Sequence, residues 1–162
     1  MINFKHMLYL RLIFFISLFS LFFAYFTEYA LGYQPCKLCL IERIPYGLSV
    51  ILIFVNFVYK KNEKFFLILL ILIFSFSSIV SFYHFGIELG LFEESAVCGL
   101  KNAAGTISKE EILKQLNEIN VSCKDVTFKV FGLSLTTINV IVSLIITIIL
   151  IKIYKSYEKN RS

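Results

Sequence analysis

Four long apolar runs constrain this chain more than any other feature of its sequence. They cover residues 8–27, 40–59, 65–82 and 135–153. Each run approaches the ~20 residues that a helix needs to cross the hydrocarbon core of a membrane. The hydrophobic content of 58% also exceeds the ~45–50% of soluble globular domains. The sequence therefore predicts an all-α membrane protein, a four-transmembrane-helix bundle in which residues 1–162 form a single membrane domain.

The positive residues predict which side of the membrane each segment faces. They cluster before or at the start of the first run, between the second and third runs, and in the C-terminal tail: Lys5 and Arg11; Lys60, Lys61 and Lys64; Lys152, Lys155, Lys159 and Arg161. Short cytoplasmic segments carry such an excess of Lys and Arg. We therefore expect both termini in the cytoplasm and two outer loops, at about 28–39 and 83–134. This topology accounts for the net charge of +5 without a nucleic-acid partner.

All four cysteines fall in the two predicted outer loops. Cys36 and Cys39 lie in the first loop, and Cys98 and Cys123 lie in the second. An even number of cysteines confined to the outer side indicates an oxidising compartment, in which disulfides form. Taken alone, the widely spaced second pair is typical of a structural disulfide. The CxxC pair closes only a short loop, so it stabilises little and is better suited to thiol exchange.

A zinc site is another use of cysteine pairs. Its usual pattern joins one CxxC to a second CxxC. The second pair here, Cys98 and Cys123, is separated by many residues. We therefore expect no metal.

The run PCKLCLIER, residues 35–43, offers two ways to stabilise a thiolate. If a helix begins near Pro35, Cys36 lies at its N-terminus, where the backbone dipole lowers the pKa of a thiol. Arg43 follows Cys39 by four residues, so on a helix the guanidinium and the thiol would share a face.

Two alternatives remain open for this run. Pro45 could belong to the first turn of the second span, in which case residues 36–43 would be irregular and the shared face would be lost. An arginine at the membrane boundary could also extend to the headgroups, or pair with Glu28 or Glu42, instead of stabilising a thiolate. The spacing alone does not separate these roles of Arg43.

Three features together resemble the disulfide bond formation protein B (DsbB) family. They are the PCxLCxxER pattern at residues 35–43, the later cysteine pair, and FGLSLTTIN at residues 131–139, similar to the family's entry to its fourth helix. Members are quinone reductases of the bacterial inner membrane that reoxidise a periplasmic thiol oxidase. The chain has no tryptophan, whereas family members often have one near the final helix. Vitamin K epoxide reductases, which are related, have their loop pair before the CxxC, and the order here is the reverse.

The resemblance implies a role for each cysteine. Cys98 and Cys123 would form the disulfide that a periplasmic DsbA-type thiol oxidase attacks, with Cys98 in the mixed disulfide. Cys36 would exchange with Cys123. Cys39 would face the quinone as a thiolate beside Arg43, and the electrons would enter a pool of ubiquinone or menaquinone.

His84, in the sequence SFYHFG, is similar in position to a family histidine near the quinone. This resemblance makes it a candidate quinone contact. An interfacial histidine within an aromatic belt is the alternative.

The second outer loop also contains a predicted helix. SKEEILKQLNEI, residues 108–119, opens with a capping box and places its apolar residues on one stripe. We expect a short amphipathic helix that lies on the membrane lipid or serves as a small core.

The sequence thus favours a membrane enzyme that oxidises a periplasmic dithiol partner and reduces a quinone. One alternative is a non-enzymatic membrane protein whose outer loops are held by two structural disulfides. Another is a quinone-linked reductase that moves electrons in the opposite direction. Structural disulfides resist mild reductant, whereas relay disulfides exchange, so their lability separates the first two hypotheses.

Overall fold

The computed structural model describes residues 4–59, 62–93, 122–124, 128–130 and 132–159. Most of them belong to four helices: α1 (Phe4–Tyr29), α2 (Lys37–Val58), α3 (Glu63–Glu88) and α4 (Leu135–Lys159). Two short antiparallel strands precede α4: β1 (Lys129–Val130) and β2 (Leu133–Ser134). Cys98 and the amphipathic helix predicted at 108–119 lie outside the described residues.

All four helices are long and apolar enough to cross a membrane, which confirms the predicted helical bundle. The helix ends differ from the predicted runs. Helix α2 begins at Lys37 rather than at residue 40, and α3 continues to Glu88 rather than ending at residue 82. Hydropathy marks only the apolar part of a span, whereas the helix continues into the polar boundary region. The two short strands were not predicted.

The helices pack mainly against their neighbours in the chain, and α3 and α4 make the most extensive contact. The main core holds these buried side chains: Leu10, Ile13, Tyr46, Ile53, Leu67, Leu70, Phe74, Ile146, Leu150 and Ile153. Serines at the helix interfaces are also fully buried: Ser17, Ser49, Ser77, Ser81 and Ser143. Small residues let membrane helices approach closely, so these serines permit the tight packing of the helices.

The outer surface of the bundle is apolar. Phe15, Phe19 and Phe22 on α1 and Ile79 on α3 are each more than half exposed. In a soluble protein such exposure would be costly, but in a bilayer these side chains face lipid tails. The exposed faces are therefore consistent with a membrane environment.

Successive helices are antiparallel. The links after α1 and α2 are short, and α3 and α4 are joined at one end by Lys64 and Glu158 and at the other by Glu88 and Ser134. The C-terminal ends of α1 and α3 therefore meet the N-terminal ends of α2 and α4. Cys36, Cys39 and Cys123 all lie at this end.

After α3 the chain turns at Gly90, where φ is +73°. This turn brings the Phe92 ring next to Gly86. A Cβ on Gly86 would lie 2.2 Å from the Phe92 ring, so glycine permits this close return.

The Ser49→Leu variant tests the close packing of α1 and α2. The Ser49 hydroxyl donates to Ser17 Oγ at 2.9 Å in the buried interface, and a leucine there would force the helices apart. Overpacking of this kind costs about 1–3 kcal/mol. We expect a lower thermal unfolding midpoint in detergent. Ile51→Leu, on a side chain that is 60% exposed, is the control and should leave the midpoint unchanged.

Candidate thiol-exchange site

The first cysteine pair lies at the N-terminus of α2. Cys36 is the N-cap residue, and its sulfur accepts a hydrogen bond from the backbone N–H of Cys39 at 3.2 Å. Pro45 lies inside the helix and is buried, so the alternative in which residues 36–43 are irregular is wrong. Cys39 and Arg43 therefore sit one helical turn apart on the same face of α2.

Cys36 is surrounded by protein. Its side chain packs in one buried cluster with Cys123, Leu38 and Ile87. Cys123 is disulfide-bonded, whereas Cys36 and Cys39 are free thiols. A potential thiol-exchange partner of the outer loop is thus packed beside the CxxC pair.

His84 approaches Cys36 from α3. Its Nε2 atom lies 3.5 Å from Cys36 Sγ, and the residue is only 1% exposed. The hydrogen bond from the Cys39 side chain and the hydrogen bond and charge of His84 outweigh the opposing effect of burial. Together they lower the pKa of the Cys36 thiol to about 5. This lowered pKa favours the thiolate form of Cys36 when the pair is reduced.

Glu42 joins three helices through its two carboxylate oxygens. Oε1 lies 2.9 Å from His84 Nδ1 on α3, and Oε2 accepts a hydrogen bond from Asn139 Nδ2 on α4 at 2.8 Å. The same amide group donates to Ser81 Oγ at 2.7 Å, and its oxygen accepts from the Tyr46 hydroxyl. A buried carboxylate is costly without such partners, and Glu42 has one on each oxygen.

The side chain of Arg43 contacts residues of α1. Its guanidinium forms an ion pair with Glu28, donates to the backbone carbonyl of Ala24 at 3.4 Å, and lies 5.0 Å from the centre of the Tyr25 ring. Of the partners considered from the sequence, Glu28 is the one observed. These contacts hold the positive charge in place near the end of the bundle that carries the cysteines.

A cavity of about 700 Å³ opens between α1, α2 and α4. Its wall is mostly apolar: Leu12, Phe15, Ile16, Phe19, Leu21, Phe23, Ala24, Leu135, Ile138 and Val142. Its polar and sulfur groups are Ser20, Cys39, Glu42, Arg43, Tyr46, Thr136 and Asn139. The size lies within the ~300–1,000 Å³ of small-molecule sites, and a mostly apolar wall with a few convergent polar groups is typical of them.

The structure brings most of the sequence-predicted residues to one end of the bundle. Cys39 and Arg43 line the cavity, whereas Cys36 and His84 lie behind its wall, in contact with each other. The predicted contact of His84 with a quinone stays a prediction. Its observed contacts are Cys36, Glu42 and the Thr136 hydroxyl, which lies 3.4 Å from Nδ1.

Sequence reasoning did not single out Glu42 or Asn139 as parts of the site. Each had a signal. Glu42 is a carboxylate at the edge of a spanning helix, and buried ionisable groups there are functional candidates by default. Asn139 is an amide side chain in the first part of a spanning helix whose following residues are mostly apolar. Only the fold reveals that these two residues contact each other.

The ligand atoms of Cys36, Cys39 and His84 lie within 4.8 Å of one another. By spacing alone this group could hold a metal ion. A structural zinc site takes four ligands, and the carboxylate of Glu42 is already bonded to His84 and Asn139. The low pKa of Cys36 and its packing beside a disulfide-bonded cysteine favour thiol exchange as the use of these groups.

Comparison with known proteins matches the chain to one family. The family described as "Disulfide bond formation protein DsbB" matches residues 6–153. A protein of Rickettsia prowazekii (strain Madrid E), named "Uncharacterized protein RP370", is 30% identical over 137 residues, which cover 83% of this chain and 80% of the relative. No solved structure gives a significant match.

The pKa of Cys36 predicts how its thiolate titrates. In the Cys98→Ser, Cys123→Ser background with the remaining pair reduced, thiolate absorbance should rise with pH around a midpoint near 5, because the charged form is stabilised above the pKa. Replacing His84 with Ala should move the midpoint upward, because one stabilising hydrogen bond is lost. Cys36→Ser in the same background is the control, and it should remove the transition. A midpoint near the ordinary thiol value of about 8.5 in the parent would contradict the geometry.

Proposed function

Because the chain belongs to the disulfide bond formation protein DsbB family, we propose that it is a membrane thiol:quinone oxidoreductase. It would reoxidise a periplasmic dithiol oxidase of the DsbA type and pass the electrons to a membrane quinone. One observation carries this proposal. The two cysteines of the CxxC pair have different neighbours: Cys36 packs with the disulfide-bonded Cys123, and Cys39 lines an apolar cavity.

The proposed relay moves two electrons through a series of thiol exchanges. The partner's thiolate attacks Cys98 of the outer disulfide, which releases Cys123 as a thiolate. Cys123 then attacks Cys36 of the inner disulfide and releases Cys39. Further exchange closes the partner's disulfide and restores the outer one, so that two electrons remain on Cys36 and Cys39. The packing of Cys36 with Cys123 supports the second exchange, because attack on a disulfide requires the sulfurs to meet.

The cavity fits a quinone. A quinone has a flat polar head and an apolar tail, and the cavity combines a long apolar wall with a few polar groups at the outer end. When bound there, a quinone accepts two electrons and two protons from the dithiol. Cys39 and Arg43 would meet the head, with the guanidinium held in place by Glu28. Ubiquinone and menaquinone share this head chemistry, so either could serve.

The proposed location follows from charge and chemistry. The positive residues near the termini and in the link between α2 and α3 support a cytoplasmic position for those segments. The cysteine-bearing end would then face the periplasm, where disulfides are formed. We therefore place the protein in a bacterial inner membrane, with both termini in the cytoplasm and the chain forming one membrane domain.

Quinone reduction by the purified protein tests this function. A reduced DsbA-type oxidase is mixed with the protein in detergent, and quinol formation is followed with ubiquinone and with menaquinone analogues. We expect catalytic turnover by the parent and none above background for Cys39→Ser or Cys98→Ser. If the parent reduces neither quinone while both disulfides stay intact against the reduced partner, the disulfides are structural and the proposal fails.

A second prediction concerns the cavity itself. Ser20→Phe places an aromatic ring in the cavity wall and should raise the KM for quinone or abolish its reduction. A single exchange between the reduced partner and the outer disulfide should be unchanged, because that step takes place away from the cavity. The control is Leu18→Phe, at a side chain that is 46% exposed on α1. Equal activity of Ser20→Phe and the parent would place the quinone elsewhere.

A further inference from the structure

Reduction of a quinone by the thiol pair requires protons as well as electrons to reach the cavity. The following inference rests on the proposed function. When Cys36 and Cys39 form a disulfide, two electrons leave the sulfurs, and a quinone that becomes a quinol takes them up together with two protons. Cys39 lines the cavity, so its proton is released there. Cys36 is behind the wall and only 5% exposed. The proton that the Cys36 thiol gives up to its neighbour His84 therefore needs a route through other side chains.

A continuous chain of polar atoms leads from Cys36 to the cavity. His84 Nε2 lies 3.5 Å from Cys36 Sγ, and on the other side of the ring Nδ1 lies 2.9 Å from Glu42 Oε1. Glu42 is itself part of the cavity wall. We propose that His84 and Glu42 form a proton relay that carries the Cys36 proton to the quinone cavity, with Glu42 as the group that delivers it.

The burial of His84 excludes a direct exit to water. The residue is 1% exposed, and its ring nitrogens contact Cys36 on one side and Glu42 and Thr136 on the other. When Nε2 accepts the proton of Cys36, Nδ1 can release its own proton on the other side of the ring. The ring then returns to a neutral form without rotating. Imidazole is suited to this transfer because it has both a donor and an acceptor nitrogen.

Glu42 is the better acceptor of the two groups at Nδ1. The Thr136 hydroxyl is farther away, at 3.4 Å against 2.9 Å. A carboxylate can also hold a proton until the acceptor is in place, whereas a threonine hydroxyl can take one only by giving up its own at the same moment. Both residues line the cavity, so a Thr136→Val variant can distinguish the two routes.

Asn139 positions the carboxylate for this role. Its amide nitrogen donates to Glu42 Oε2 at 2.8 Å, while the Tyr46 hydroxyl and Ser81 Oγ fix the orientation of the amide. With Oε2 occupied, Oε1 faces His84 and is the oxygen that receives the proton. Asn139 is thus a positioning residue, since it acts through Glu42.

The first test needs no quinone. In the Cys98→Ser, Cys123→Ser background, the inner pair is switched chemically between disulfide and dithiol, and the infrared difference spectrum is recorded. We expect a carboxyl band that changes with the redox state and is missing in Glu42→Gln. Glu88→Gln is the matched control, because Glu88 lies one turn after His84 on α3 and is hydrogen-bonded to Ser134. A band unaffected by Glu42→Gln would overturn the relay.

The second test measures a single turnover. The prereduced protein in the same background is mixed with quinone, and disulfide and quinol formation are followed in H₂O and in D₂O. Loss of a positioned acid–base group costs about 10²–10⁴-fold, so Glu42→Gln should slow the reaction by at least 10²-fold without changing its dependence on quinone concentration. Glu42→Asp should keep part of the rate and a solvent isotope effect, which a purely structural role would not preserve.

The outcomes separate the two proposals. If the parent reduces no quinone, the proposed function fails, and the relay to a quinone fails with it. If the parent is active and Glu42→Gln reduces quinone at the same rate, the function stands and the Glu42 route is overturned. The same conclusion follows if Thr136→Val slows quinone reduction and Glu42→Gln does not. Equal slowing of Glu42→Gln and Glu42→Asp, with a raised KM and no isotope effect, would also overturn it, because Glu42 would then only maintain the structure.

Discussion

A buried carboxylate organises the end of the bundle that carries the cysteines. Glu42 lies on α2, and its two carboxylate oxygens contact His84 on α3 and Asn139 on α4. Charge inside a protein at the membrane boundary costs several kcal/mol unless each lone pair is matched. The requirement to satisfy Glu42 therefore constrains how these three helices meet, and with them the positions of both sulfurs of the CxxC pair.

In this arrangement, the CxxC spacing gives the two cysteines different surroundings. On a helix, residues three apart are neighbours whose side chains point in directions about 60° apart. That difference is enough to turn Cys36 toward α3 and Cys123, while Cys39 faces the gap between α1 and α4. One turn of helix thus separates a protein-facing thiol from one that faces the cavity. A pair on a flexible loop could not keep these environments apart.

The cavity exists because α1 and α4 make little contact with each other. Helix α1 packs chiefly on α2, and α4 chiefly on α3, which leaves an apolar opening on the lipid side. The Arg43–Glu28 pair joins α1 to α2 at the cysteine-bearing end, so the charged groups lie near that end and the apolar wall extends toward the middle of the bundle. This gradient suits a ligand with a polar head and an apolar tail.

Much of the architecture was determined by the sequence alone. Four apolar runs specify four spanning helices, since the lipid phase leaves few other ways to satisfy the backbone. The positions of the cysteines between those runs, and the PCxLCxxER pattern, were sufficient to predict thiol chemistry and the family. What the sequence left open was local: whether a helix begins before Cys36, and which partner Arg43 takes. The tertiary structure decided those points, and it placed Glu42, His84 and Asn139 together. The reason is that these contacts join residues 42 and 97 positions apart, and no periodicity or local spacing encodes a contact between separate helices.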